Sequence, residues 1–414
     1  MNKYGKASNE LFTEFVARVA QELPTATIAM FSKMKYVNAP NFEKFREAWN
    51  AKYLGGFVVH SKAFDGLKGN FPIGFLVWKT DNLRTRVANL LKVGNPKATS
   101  FTEIELDVLD KDAKPIGEKS FYNLPSRTFL NVWVNRPRAN KVEAIPLKNA
   151  VTPATASIRL SNWADDAIGF FWCKASDVQN VNQTVIFSSP YSQGDGMFIT
   201  KENLWQAAIV FTVRRVIKPT WLNDKDQFLQ PTQPLSNEFK TDCLIWMLFN
   251  GSNLTASANN LEWNGKQWSI VNHFIPFTEE EVGSPERFES DFMVRYSLPN
   301  PSKKGAYRSE DQSEDDIELK ATIFKEASLL GRLVGLEGKK LWQAYFAYTD
   351  VHTVRNELKL NRADVGWYQI RKALQARNVS GDYAIINFKP FEEAYKAFTE
   401  KLQPQVYELG FLRV

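Results

Sequence analysis

The sequence predicts an α/β segment followed by α+β structure, and three observations carry that expectation. Residues 1 to 80 alternate helical and strand periodicities, residues 81 to 300 are short apolar runs between polar loops, and residues 317 to 414 repeat apolar positions at helical spacing. In the opening segment Leu11, Phe12, Phe15, Val16 and Val19 recur at helical spacing, and after Pro24 comes the short apolar strand TIAMF, Thr27 to Phe31. A loop with Pro40 leads to a second helix with Phe42, Phe45 and Trp49 on one face. The strand GFVVH follows, Gly56 to His60. The Gly- and Lys-rich stretch SKAFDGLKGN joins it to FPIGFLVW, Phe71 to Trp78, a run suited to a buried strand paired with its predecessor. This order is half of a layered sheet. A doubly wound domain binds its nucleotide at strand ends, through a glycine-rich turn.

The wording and order of these residues resemble the region after the catalytic motif in adenine-specific DNA methyltransferases of restriction-modification enzymes. Three further blocks extend the likeness: FTVRRVIKPTWLNDKDQFLQP at 211 to 231, FKTDCLIWMLFNGSNLTASANNLEWNGKQWSI at 239 to 270, and ELKLNRADVGWYQIRKAL at 357 to 374. The resemblance implies a partial Rossmann-like methyltransferase sheet at 1–80, a mixed β-rich target-recognition region at 81–300, a linker at 301–316 and a helical C-terminal segment at 317–414. In that family a strand ending in a glycine-rich cofactor loop comes first, then a strand ending in Asn-Pro-Pro-Tyr. Neither motif lies in these residues, which open at Met1 just before the first helix.

Methyl transfer needs the target amino group and the cofactor's sulfonium held in line, and positioning of this kind supplies much of such a rate enhancement. The resemblance therefore implies a DNA-recognition and partial catalytic portion of an S-adenosylmethionine-dependent enzyme, inactive alone. The isolated chain is expected to bind no cofactor, and S-adenosylmethionine enters only on completion by a polypeptide carrying the N-terminal methyltransferase half. Double-stranded DNA is the expected ligand. The alternative is a non-catalytic DNA-binding or scaffold subunit of a restriction-modification or defence system. The family also places an aromatic side chain against the flipped base after the second strand, and Phe64, in KAFDGLKG, falls there. The other reading of Phe64 is a loop phenylalanine covering the sheet end.

Charge is unevenly spread along the 414 residues, whose formal net charge is +6. Residues 1 to 150 hold 23 Lys and Arg against 14 Asp and Glu, whereas residues 151 to 300 hold 11 against 16. A basic first third suits a phosphate-facing surface, and equally a solvated lysine-rich one. Cys173 and Cys243 stand far apart, which gives no disulfide framework and no Cys-x-x-Cys metal spacing. With no signal-like core and no run of about eighteen apolar residues, a cytoplasmic protein without a membrane span is expected.

Beyond residue 80, FTEIELDVL, Phe101 to Leu109, alternates as a half-exposed strand, and DKDAKPIGEK returns it as a hairpin. FLNVWV, Phe129 to Val134, fits a helix start or a strand, and NRPRANK after it offers Arg136, Arg138 and Lys141 to phosphate, with an exposed connector as the alternative. A β-rich run from Ile209 to Val213 precedes Arg214, Arg215, Lys218 and Trp221, where guanidinium forks and an indole suit phosphates and base edges. Pairing of the arginines with Asp224 and Asp226 is the competing reading. Lys68 of the first loop joins these as a DNA contact. Cys243 to Phe249 reads as a buried helix turn or strand, and the Asn-Gly pair between Trp263 and Trp268 signals a hairpin. Residues 297 to 316 read as a linker. Phe391, Ala394, Tyr395, Phe398 and Leu402 form one helical stripe, which Pro404 is expected to kink or end.

Three other features carry less. SSPY, Ser188 to Tyr191, sits after a strand-like run as a catalytic turn would, but Ser189 stands where the first proline is required. Glu318 and Lys320 resemble part of a metal-dependent nuclease site, yet an acidic helix start explains them better, so no metal is expected. His60, His273 and His352 lack partners at triad or metal spacing and read as structural.

Overall fold

The structure is a computed structural model that describes residues 2–49, 51–69, 71–80, 103–125, 128–138, 142–145, 147–149, 152–153, 162–173, 184–190, 196–217, 228–298, 319–348, 362–380 and 385–413. It is mixed α/β. Two compact units divide the chain, the first comprising Met1–Trp133, Ala175–Asn182 and Lys218–Gln230 and the second Val134–Lys174, Gln183–Ile217 and Pro231–Val414. Among the described residues no helix is long and apolar enough to cross a membrane. The linker expected at 301–316 lies outside the described residues, as does His352.

In the first unit, helix α1 (Leu11–Glu22) leads to strand β1 (Thr27–Lys33), and helix α2 (Glu43–Ala48) to strand β2 (Lys52–His60). Strand β3 (Pro72–Lys79) then returns between them, antiparallel to both, so that β1 and β2 run parallel to each other. Strands β4 (Glu103–Leu109) and β5 (Pro115–Tyr122) extend the same sheet, giving the order β1-β3-β2-β4-β5 with β4 parallel to β2. The first unit thus runs past the boundary expected at residue 80. The physical reason is pairing: the alternating strand 103–109 continues the ladder that β2 opens.

Period-two alternation sends one set of side chains to each face. Ile28 of β1, Val58 of β2, Leu76 and Trp78 of β3, Ile104, Leu106 and Val108 of β4 and Phe121 of β5 share a core with Val16, Phe42, Phe45 and Trp49. Burial of these large apolar groups is the main stabilising term, at roughly 1.5–3 kcal/mol for each fully buried side chain. The Trp78 indole donates to the Tyr36 hydroxyl at 3.0 Å, and burial pushes the Tyr36 phenol well above its usual range. Arg46 is fully buried, donating Nε–H to Asn123 Oδ1 at 2.6 Å and Nη1–H to the Ala39 carbonyl at 2.9 Å, and burial pulls its guanidinium down to about 10.

The second unit has a four-stranded sheet containing β6 (Gly169–Cys173), β7 (Thr184–Phe187) and β8 (Gly196–Ile199), with β6 between the other two. Helices α3 (Leu204–Val216), α4 (Asn237–Leu248), α5 (Leu329–Tyr348), α6 (Trp367–Ser380) and α7 (Lys389–Glu408) belong to the same unit. Residues Ile209 to Val213, expected as β-rich, lie in α3. Ten of that helix's thirteen residues are buried, and a helix enclosed on nearly all sides holds Val, Ile and Phe regardless of their preference for strands. Pro404 does not end its helix, which continues to Glu408. The Asn-Gly hairpin forms as expected, with Asn264 and Gly265 both left-handed at φ 50° and 69°.

A buried charge ties three helices of this unit. Asp242 on α4 is fully buried, accepts from Lys401 Nζ of α7 at 2.5 Å, and accepts the Ser328 N–H at 3.0 Å just before α5 begins. Burial holds the Asp242 carboxyl above its ordinary value. At Lys401 burial acts in the opposite sense, but bonds to Asp242 and Glu238 outweigh it and raise the ammonium.

One close backbone approach holds β2 against β3. A Cβ on Gly56 of β2 would stand 2.3 Å from the Phe75 carbonyl oxygen of β3. Gly56→Ala is therefore expected to destabilise the chain by about 1–3 kcal/mol, since a backbone oxygen cannot rotate away as a side chain can. Thermal unfolding checks this, and an unchanged midpoint would contradict the close approach.

Candidate functional site

At the end of β2 the chain enters a loop that Ser61 closes. The fully buried Ser61 hydroxyl donates to the Gly69 carbonyl at 2.6 Å and accepts the Phe71 N–H at 3.3 Å, while its own N–H donates to the Phe71 carbonyl at 3.0 Å. Inside the loop, the Phe64 N–H donates to the Ser61 carbonyl at 3.1 Å, and Gly66 takes a left-handed φ of 79° that favours glycine. The clamp presents Lys62, Leu67 and Lys68 to solvent and leaves Phe64 half-buried.

Phe64 packs on the sheet face opposite the helix-covered core. Phe31 of β1, Phe75 of β3 and Phe57 of β2 occupy one cross-strand register on that face. Their ring centroids lie 4.8 Å apart for Phe31 and Phe75 and 5.5 Å for Phe57 and Phe75, and Phe64 stands edge-on to Phe31 at 5.2 Å. Phe31 nonetheless remains 51% exposed. Beyond Phe57 the next register position is Asp107 of β4, so the aromatic row ends at a carboxylate.

This cluster lies where the parallel strands β1 and β2 end, the side of an open α/β sheet at which ligands bind. His60 closes β2 there, its Nδ1 accepting the Lys62 N–H at 3.0 Å. Burial, then the charges of Lys62 and Lys111, hold the imidazole below its ordinary value, against an upward pull from Asp110. Val59 pairs with Leu109, so the β4–β5 turn begins beside His60. Asp110 caps that turn, accepting N–H groups of Asp112 at 2.8 Å and Lys114 at 2.9 Å, and these bonds hold its carboxyl low. An edge with exposed lysines, a neutral imidazole and a row of packed rings can hold an anion beside a planar group.

The structure joins Phe64 and Lys68 in one loop. Arg136 and Arg138 are exposed in the second unit, in the loop that follows a short helical turn at Leu130–Val132. Arg214 is buried, 2% exposed within α3, which removes it from the groove-facing role expected of it. Arg215 is half-buried, donates Nη1–H to the Thr184 carbonyl at 3.2 Å, and lies 5.8 Å from the Phe211 ring centre. The helix is enclosed on nearly all sides, so the arginines of its last turn are carried inward with it despite the cost of burying charge. Lys141, Lys218, Trp221, Asp224 and Asp226 lie outside the described residues.

Sequence reasoning missed Phe31 as the ring that Phe64 meets, and Phe57 and Phe75 as the rest of the row behind it. Each was visible in an apolar run, but their common register depends on β3 entering between β1 and β2. Ser188 and Ser189 are buried, and the Ser188 hydroxyl accepts the Ala256 N–H at 2.8 Å, a structural turn. Lys320 pairs with Glu280, Glu318 lies outside the described residues, and among the described residues no cluster of His, Cys, Asp and Glu could hold a metal. His273 bonds Ser290 at 2.8 Å through Nδ1.

A pH effect follows from His60. Its free imidazole is neutral at pH 7, and a bound phosphate would favour the protonated form, so anion affinity at this edge is expected to rise as pH falls through the His60 titration. NMR titration should show a midpoint below the ordinary imidazole value that moves up in Lys62→Gln, and His60→Gln should flatten the pH dependence of binding. No family model, curated protein or solved structure matches the chain.

Proposed function

We propose that this chain supplies the base-facing and DNA-recognition portion of an adenine-specific, S-adenosylmethionine-dependent DNA methyltransferase. The observation that carries the reading is Phe64, held by the Ser61 clamp at the carboxyl edge of a layered sheet, beside the exposed Lys62 and Lys68. A flipped base needs a π-face to stack on, and its flanking phosphates need cations. The resemblance of this segment to the region after the methyltransferase catalytic motif supports the same assignment. In this reading, Arg136 and Arg138 of the second unit meet the DNA backbone.

The cofactor loop and the Asn-Pro-Pro-Tyr turn come from outside these 414 residues, on a polypeptide that completes the site. Stacking on Phe64 then holds the adenine while that polypeptide aligns the methyl donor. The residues of this chain bind and orient.

Fluorescence anisotropy with a thirty-base-pair duplex, with calorimetric titration of S-adenosylmethionine, tests the proposal. We expect duplex binding that weakens steeply with salt, and no saturable cofactor heat for the chain alone. Tight cofactor binding by the chain alone, or no duplex binding at low salt, would overturn it. Duplex binding with no adenine methylation in any combination with a polypeptide carrying the two motifs would move the conclusion to a non-catalytic DNA-binding or scaffold subunit.

A further inference from the structure

We infer that Phe31 is a second base-stacking surface, so that the carboxyl edge of the first sheet takes an unpaired nucleobase on a two-ring step formed by Phe31 and Phe64. The inference rests on the nucleic-acid reading above and deepens it. A ring in the middle of a sheet face is ordinarily covered, and Phe75 and Phe57 in the same row are half-buried. Phe31 is not: it stands on β1, which among the described residues pairs only with β3, and half of its surface is open.

The edge-on approach of Phe64 at 5.2 Å leaves the two rings steeply inclined, 79° between planes. One flat ligand can lie on the face of Phe31 while its edge meets Phe64. Any base has such a face, which makes stacking tolerant of sequence.

Charge selects the kind of planar ligand. Residues 1 to 80 hold eleven Lys and Arg against six Asp and Glu. Lys33 is exposed two residues beyond Phe31, on the same face of β1, and Lys62 and Lys68 flank Phe64. The exposed acids of that face, Glu103, Glu105 and Asp107, sit on β4 beyond Phe57, and Asp65 stands in the loop itself. A phosphodiester strand meets three exposed cations here, Lys33, Lys62 and Lys68, and is repelled by the carboxylates of β4.

The test uses the full chain and a single-stranded twelve-nucleotide DNA carrying 2-aminopurine at its centre, whose fluorescence falls on stacking. Phe31→Leu and Phe64→Leu are each expected to weaken binding about five- to tenfold and to remove quenching, leaving the salt dependence intact. Lys62→Gln and Lys68→Gln are each expected to lower the salt slope by about 0.7 with quenching retained. Phe31→Tyr keeps the ring and should quench as the parent does, which separates stacking from any effect of Phe31→Leu on folding. Unchanged affinity and quenching in Phe31→Leu, with both lost in Phe64→Leu, would overturn the two-ring step and leave the proposed function standing. Failure of the parent chain to bind any DNA would overturn both.

Discussion

The insertion of β3 between β1 and β2 is the constraint on which the rest of the first unit depends. Only that order puts Phe31, Phe75 and Phe57 in one register, because Phe75 pairs with Phe31 on one side and with Phe57 on the other. Aromatic pairs of this kind add about 0.5–1.5 kcal/mol beyond the area they bury. A slip of one residue in β3 would send Phe75 into the helix-covered core and Leu76 and Trp78 out of it, reversing both faces at once. The buried Trp78, bonded to Tyr36, and the contact of Gly56 with the Phe75 carbonyl both oppose that slip. The aromatic row is thus fixed by the packing of the opposite face. The same register delivers the ends of β1 and β2 to one edge, where the Ser61 clamp sets Phe64.

In the second unit a buried charge does what register does in the first. Asp242 reaches α7 through Lys401 and the start of α5 through the Ser328 N–H, so one carboxylate links three helices. Its raised proton affinity records a desolvation cost that the ammonium offsets only in part.

Much of this was legible in the residues because local patterns and tertiary needs agree. Phe42, Phe45 and Trp49 fall on one apolar face and are all buried, the 103–109 alternation is a strand with one face inside, and Asn264-Gly265 makes the turn that only φ-tolerant residues allow. The failures arise where tertiary context overrules a local preference. Val210, Phe211 and Val213 favour strands by type, yet a helix enclosed in apolar surroundings accepts them and buries Arg214 with them. Pro404 forgoes one helical hydrogen bond, and the buried Leu402 and Val406 on either side hold the helix through it. The site itself was half visible. Phe64 and Lys68 are neighbours in sequence, but Phe31 reaches Phe64 across 33 positions and through a strand order that no single stretch encodes.

Photo-crosslinking tests the central claim most directly. A single-stranded DNA carrying 5-iodouracil, irradiated with the full chain and mapped by peptide mass, should attach at Phe64 or Phe31 of the first sheet. Attachment confined to the second unit, with the 31 and 64 peptides unmodified, would contradict the account.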